Sequence, residues 1–233
     1  MLTPEYEDEH LLVLNKPAGL LCVPGRGPDK QDCLSARAQQ QWPDALIVHR
    51  LDQGTSGLVV MARSLAVQRA LGDAFAARQV DKRYMAVVVG QPASQAMPAD
   101  EALLAAMPQD GERWSLIDLP LWPDWERRPL QRVDFDLGKP SQTWWRAVTE
   151  AEASALPAVP AGCSRLWLSP VTGRTHQLRL HMQAIGHAML GDALYATPAV
   201  QPLAPRLLLQ AREIGFAHPV TGERVAFALA ADF

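Results

Sequence analysis

Residues 48 to 60, VHRLDQGTSGLVV, place a histidine, an arginine and an aspartate inside otherwise apolar sequence. Val48 before the interruption and Leu58, Val59, Val60 and Met61 after it are apolar on both parities, the mark of strands covered on both faces. Gln53-Gly54-Thr55-Ser56-Gly57 between them is turn chemistry, so Asp52 falls at a bend between two inner strands. An ionised carboxylate is costly there unless paired or hydrogen-bonded, and something must outweigh that penalty. Two further polar insertions interrupt apolar surroundings: Lys82-Arg83-Tyr84, and Gly173-Arg174-Thr175-His176-Gln177-Leu178-Arg179. In the last, Thr175 is a good N-cap, and Leu178, Met182 and Ile185 form the buried stripe of a short helix ending at Gly186. Arg179 lies at the edge of that stripe, within reach of a buried acid. The residues alone leave open whether Arg179 and Asp52 are a structural ion pair, with Tyr84 an ordinary strand aromatic.

Other chemistries fit poorly. His176 and His181, with His187 nearby, suggest a metal site, but helix residues five apart point about 140° away from each other, whereas chelating pairs sit three or four apart. Gly54-Thr55-Ser56-Gly57 has Leu58 where the second glycine of a GxSxG elbow belongs. Neither GxGxxG nor GxxxxGK[ST] occurs, so dinucleotide and P-loop sites are unsupported. No cofactor and no metal are expected.

The elements that must position these residues are those of a strand-rich chain. His10 to Asn15 reads as a strand closed by Lys16-Pro17-Ala18-Gly19, and Pro24 to Pro28 as a loop. Ser64 caps a helix whose Val67, Leu71, Ala74 and Phe75 share one face. Lys82-Arg83-Tyr84 opens a strand that runs to Val89 and ends at Gly90. Gln91 to Gly111, rich in Ala, Met and Pro, reads as an excursion from the sheet. Strands follow at Thr143 to Val148, Leu166 to Ser169, Leu207 to Ile214 and Val225 to Leu229. With few helices between strands, the expected class is α+β, a mixed, mainly antiparallel sheet with flanking helices and loops. A single catalytic domain over residues 1–233 is the simplest account, since neither repeat nor linker interrupts the chain.

Composition is that of a soluble globular protein: 233 residues, 48% hydrophobic and 20% charged. No stretch reaches membrane-span length and the N-terminus is acidic, which reads as cytoplasmic. Three cysteines without CxxC spacing suggest neither disulfides nor zinc. The net charge of −3 argues mildly against nucleic acid, but of the 22 basic residues only Lys16, Lys30, Lys82 and Lys139 are lysine, and arginine is the better partner for phosphates and bases. Acid gathers at residues 5 to 9, whereas 165 to 212 holds five arginines against Asp192 alone, so one face can be basic.

In order along the chain, His49-Arg50-Leu51-Asp52 with Thr55-Ser56-Gly57-Leu58, then Lys82-Arg83-Tyr84, then Gly173 to His181, then Gly191-Asp192-Ala193-Leu194-Tyr195, resemble the motifs of the RluA family of RNA pseudouridine synthases. The likeness runs from about Asn15-Lys16-Pro17-Ala18-Gly19-Leu20 to the C-terminus, and several ordered motifs are more specific than any one. Val23-Pro24-Gly25-Arg26, Asp118-Leu119-Pro120-Leu121, Asp124-Trp125, Arg128-Pro129, Gly138-Lys139-Pro140 and Ala204 to Leu209 resemble the member for which the family is named, rather than relatives with an added S4 domain. The resemblance implies the pseudouridine synthase fold without an S4 domain. It implies Asp52 as the essential carboxylate, Tyr84 as the ring that stacks on the target base, Arg179 as the salt-bridge partner of Asp52, and Leu178 as the pocket floor. Arg50 is implied to enter the RNA stack as the target leaves it, a phosphate contact being the simpler alternative. His49, Arg174 and His176 complete the expected substrate-binding set. One carboxylate is enough because the reaction is an isomerisation, whereas a glycosidase needs a second.

The substrate implied is structured RNA, a tRNA anticodon stem-loop and a similar 23S rRNA hairpin, with no DNA or membrane partner and a monomeric protein. The same chemistry at another uridine, and a non-catalytic RNA-binding or chaperone module, are the alternatives; intact Asp52, Tyr84 and Arg179 speak against the latter. Two departures from the family stand out. Residues 91–117 form a longer, variable insertion, and Gln53-Gly54 replaces other residues next to Asp52.

Overall fold

The computed structural model describes residues 2–94 and 99–233. In chain order its strands and helices are β1 (Pro4–Glu7), β2 (Leu11–Lys16), α1 (Leu34–Gln41), β3 (Leu46–Ile47), β4 (Ser56–Ala62), α2 (Leu65–Ala76) and β5 (Asp81–Val89). There follow α3 (Glu101–Ala105), β6 (Ser115–Asp118), β7 (Leu121–Pro123), β8 (Gln131–Val133), β9 (Gln142–Ala147) and α4 (Glu150–Ala153). The last are β10 (Cys163–Pro170), α5 (Gln177–Ala184), β11 (Leu209–Ala217) and β12 (Arg224–Ala228). Two compact units result, one of Met1–Lys82 with Gln210–Ala230, the other of Arg83–Leu209 with Ala231–Phe233.

In the first unit β2 pairs antiparallel with β1 and β4, β3 with β4 and β12 with β11, while β11 runs parallel to β4. The sheet is therefore mixed and mainly antiparallel, as expected. Every residue of β4 is buried, which explains its apolar residues on both parities. Leu11, Val13, Leu58, Val60 and Phe216 share one core with Val67 and Leu71 of α2. That helix starts where the sequence indicates, with the Ser64 hydroxyl accepting from the Val67 N–H at 3.3 Å. Gly57, in the left-handed region at φ 112°, is required by the parallel neighbour, because a Cβ there would stand 2.2 Å from the Ala211 carbonyl oxygen.

In the second unit β10 lies between β5 and β9, and β9 pairs with β6, all antiparallel. One face packs Ala86, Val88, Leu166 and Leu168 against Leu178 and Met182 of α5; the other packs Met85, Trp144 and Trp167 with Trp114. The excursion expected at Gln91 to Gly111 is followed by β6: Ser115 pairs with Trp145, and buried Trp114, its indole N–H bonded to Asp110, anchors the return; residues 95–98 lie outside those described. The helix after Gly173 also begins later than Thr175. His176 occupies the N-cap position at φ 55° without a side-chain cap, and Gln177 does the tying instead: its Oε1 accepts from the Arg174 N–H and the Thr172 hydroxyl. Its Nε2 donates to the Gln142 carbonyl and the Thr143 hydroxyl oxygen, fixing the start of α5 to β9. The cysteines are free, and no described helix is long and apolar enough to cross a membrane.

Candidate active site

The segment His49-Arg50-Leu51-Asp52 is irregular chain between β3 and β4, and its residues alternate inward and outward. His49 stacks on Phe75 of α2 with ring centroids 4.6 Å apart, and its Nε2 accepts the Val60 N–H at 3.0 Å. Burial foremost, then the charge of Lys82, lowers its pKa to about 3, so the ring is a neutral pin between chain and helix. Leu51 is buried and its N–H donates to the Cys22 sulfur. Arg50 is exposed and Asp52 half-buried, so the two pins leave these charged residues at the surface of the turn. Behind Asp52 the turn closes through the Thr55 N–H on its carbonyl at 3.1 Å.

Lys16 is the residue here that the sequence reading passed over. Fully buried at the end of β2, it donates to the carbonyls of Pro17, Leu20 and Gln53 at 2.9, 2.7 and 3.1 Å. Gly19 and Gln53 are bonded to one another through N–H, side-chain amide and carbonyl groups, so the Lys16-Pro17-Ala18-Gly19 loop is stitched to the turn that carries Asp52. Burial lowers the Lys16 pKa to about 8, against the pull of Cys22 and Asp52, and an ammonium that remains mostly protonated at neutral pH adds positive potential to the aspartate's surroundings. A lysine ending an apolar strand run just before Pro-Ala-Gly was the available signal.

In the second unit, Tyr84 of β5 packs half-buried on the core that contains Leu178, so these two expected residues share one apolar cluster. Arg179, next along α5, is buried and makes a bidentate ion pair with Asp192, which is wholly buried: Nε to Oδ2 is 2.8 Å and Nη2 to Oδ1 2.6 Å. Burial drives the Asp192 carboxyl pKa upward, but the Arg179 guanidinium and the N–H groups of Leu194 and Tyr195 overcome it and hold the group below its ordinary value. Asp192 was also missed, although it is the one carboxylate among the five arginines of residues 165–212. The guanidinium carbon of Arg179 sits 5.2 Å from the centroid of the Tyr195 ring. The Tyr195 hydroxyl in turn meets His176 Nδ1 at 2.8 Å and accepts the Gln131 N–H at 2.9 Å. Arg174 is exposed, its Nε directed to the Pro140 carbonyl.

The histidines have protein partners. His181 bonds the Thr143 hydroxyl through Nδ1 and the Leu119 carbonyl through Nε2, and His187 bonds the Val89 carbonyl. Among the described residues no three His, Cys, Asp or Glu side chains are grouped to hold a metal ion. The first unit offers a carboxylate on a pinned turn beside a buried ammonium, a group suited to stabilising positive charge. The second offers an aromatic ring beside an apolar floor, and a guanidinium of fixed orientation, groups suited to stacking of a planar ring and to holding a negative charge.

Comparison with known proteins gives these observations a family. Residues 10–184 match the profile described as RNA pseudouridylate synthase. Over 228 residues the chain is 42% identical to the Dual-specificity RNA pseudouridine synthase RluA of Escherichia coli (strain K12), covering 98% of this chain and 92% of that protein. The like-named protein of Yersinia pestis is 41% identical, with 98% of both chains covered. Among solved structures, Human RNA Pseudouridylate Synthase Domain Containing 1 superposes with a TM-score of 0.73 at 25% identity, over 99% of this chain and 83% of that one. Human RNA Pseudouridylate Synthase Domain Containing 4 shares the fold, with a TM-score of 0.67 at 20% identity over 98% of this chain and 88% of that one.

Proposed function

The chain belongs to the RNA pseudouridylate synthase family and is an RNA-modifying isomerase, and from that premise we propose that Asp52 carries the reaction, on a uridine of a tRNA anticodon stem-loop and of a similar 23S rRNA hairpin. The N1–C1′ bond of uridine breaks, the uracil turns while held, C5 bonds to C1′, and the proton lost from C5 is balanced by one gained at N1. Asp52, ionised, meets the positive charge that develops at C1′, as nucleophile or counter-charge. Tyr84 stacks on the target base, and its hydroxyl oxygen acts as the base toward the sugar, taking a ribose proton that it returns to the same carbon before the product leaves. Arg179 serves as the charged partner of Asp52, and Leu178 floors the pocket. Arg50 fills the stack that the flipped uridine leaves, with His49, Arg174 and His176 as further substrate contacts. The dual substrate follows the dual specificity named for the relatives. The protein acts in the cytoplasm as a monomer.

The observation that carries this reading is the setting of Asp52. A half-exposed acid on a turn braced by His49, Leu51 and the buried Lys16 ammonium has a place prepared for it. The test is tritium release from C5-labelled uridine in bulk tRNA and rRNA. Wild type releases tritium from both, and Asp52→Asn binds RNA yet releases at least about 10³-fold less, the scale on which removing a charge-stabilising group acts. Substantial turnover by Asp52→Asn refutes the assignment. Mapping pseudouridine in RNA from cells lacking the protein identifies the nucleotides.

A further inference from the structure

The second unit projects an arm whose chemistry the site above does not use. β7 and β8 form a separate two-stranded ribbon, and the loop between them, residues 124–130, carries an exposed Trp125 at 60% accessibility. The guanidinium carbon of Arg128 lies 3.8 Å from the centre of that indole. Arg128 makes no ion pair among the described residues, so its charge is held over the ring rather than against an acid. The loop is not loose at its root: buried Asp124 accepts from the Arg127 N–H and side chain, and Gln131 is bonded to the Tyr195 hydroxyl. Between the ribbon and α5 runs a cleft of about 380 Å³, of small-ligand size, with Arg127 and Arg132 at its margin and Leu130, Val133, Leu180 and Ala184 among its walls.

Net charge does not explain the arm. Asp124, Glu126, Asp134 and Asp136 outnumber Arg127, Arg128 and Arg132 over residues 121–138, and Asp124 and Asp134 already hold Arg127 and Arg132. A surface built to grip phosphates by charge would not be so neutralised. An exposed indole with a guanidinium held 3.8 Å over it offers an aromatic and cationic surface to another ring, and unpaired nucleobases stack on aromatic rings and arginine planes. We propose that the Trp125–Arg128 pair is a stacking platform for an unpaired base of the RNA substrate, distinct from the target uridine. The proposal rests on the RNA-modifying function above and adds a second contact to it.

The test uses the full chain and a fluorescein-labelled RNA stem-loop, with a fully paired duplex of equal length for comparison. Trp125→Ala and Arg128→Ala each weaken stem-loop binding by about five-fold or more, the lower end for loss of a stacked base, and leave duplex binding unchanged. In turnover the same variants raise KM by a similar factor with kcat within about two-fold of wild type. Arg128→Lys, which keeps the charge and loses the plane, binds like Arg128→Ala. Unchanged stem-loop affinity in both alanine variants overturns the proposal, as does wild-type binding by Arg128→Lys, which would make the contact one of charge. A change in sedimentation at constant RNA affinity overturns it too, assigning the exposed Trp125, Phe135 and Leu137 to contact between copies. Turnover retained by Asp52→Asn would remove the catalytic reading alone, since the binding comparison reports on the arm by itself.

Discussion

Arg179 and Asp192 face each other fork to fork, with two hydrogen bonds of 2.8 and 2.6 Å between a nearly inaccessible guanidinium and a wholly inaccessible carboxylate. The carboxylate also accepts the N–H groups of Leu194 and Tyr195, so one acid fixes both the arginine and the turn that follows Gly191. Removing Asp192 takes two hydrogen bonds and a buried counter-charge from the guanidinium. Asp192→Ala is expected to cost about 3–5 kcal/mol in urea unfolding and to lower turnover with it. The double variant Asp192→Leu with Arg179→Met recovers most of the stability and none of the activity. Recovered activity would show that Arg179 serves the fold alone.

Tyr84→Phe retains the ring and its packing on the Leu178 core while losing the hydroxyl. RNA affinity should hold, and single-turnover pseudouridine formation should fall by about 10²-fold or more, the span of general acid–base effects. Wild-type rate in this variant removes the hydroxyl from the mechanism.

His181 sets an acid limit on stability. It is fully buried, and burial lowers its pKa from 6.5 to about 4 against the Leu119 hydrogen bond and the Asp118 charge. The unfolded chain takes up this proton near pH 6.5 and the folded chain only near pH 4, so the stabilisation is complete above about 6.5 and is lost as the pH falls through that window. The loss is on the order of 3 kcal/mol. Unfolding free energies of wild type and His181→Gln between pH 7 and 4 should converge toward acid, because glutamine does not titrate. Parallel curves would contradict the assignment.

Gly57→Ala sets a Cβ against the Ala211 carbonyl oxygen at a residue whose φ is 112°. Neither backbone can yield without parting β4 from β11, and a drop on the order of 10 °C in the unfolding midpoint is expected. An unchanged midpoint would mean that the parallel pairing is easily displaced.

The periodic elements were legible because their signals are local. Ser64 with the apolar face of α2, the doubly buried β4 and the glycine after β5 each depend on a few neighbouring residues. The short strands β6, β7 and β8 were not, since three or four residues carry no period and their pairing partners lie elsewhere in the chain. Thr175 failed as a cap for a related reason: Gln177 found partners on β9, and the helix began at that residue with His176 in the N-cap position.

Residue types and their order by themselves indicated an α+β chain with a mainly antiparallel sheet and a costly acid at a bend, and the resemblance carried by their motifs supplied the reaction class and the role proposed for that acid. Tertiary structure decided which charges are buried and what holds them. Lys16 found three carbonyls beneath the aspartate's turn, Asp192 claimed two bonds of the arginine, and His49 became a neutral pin. A buried ion or hydrogen bond is stable only through partners brought together from distant positions, and no local pattern records which partner the folded chain will supply.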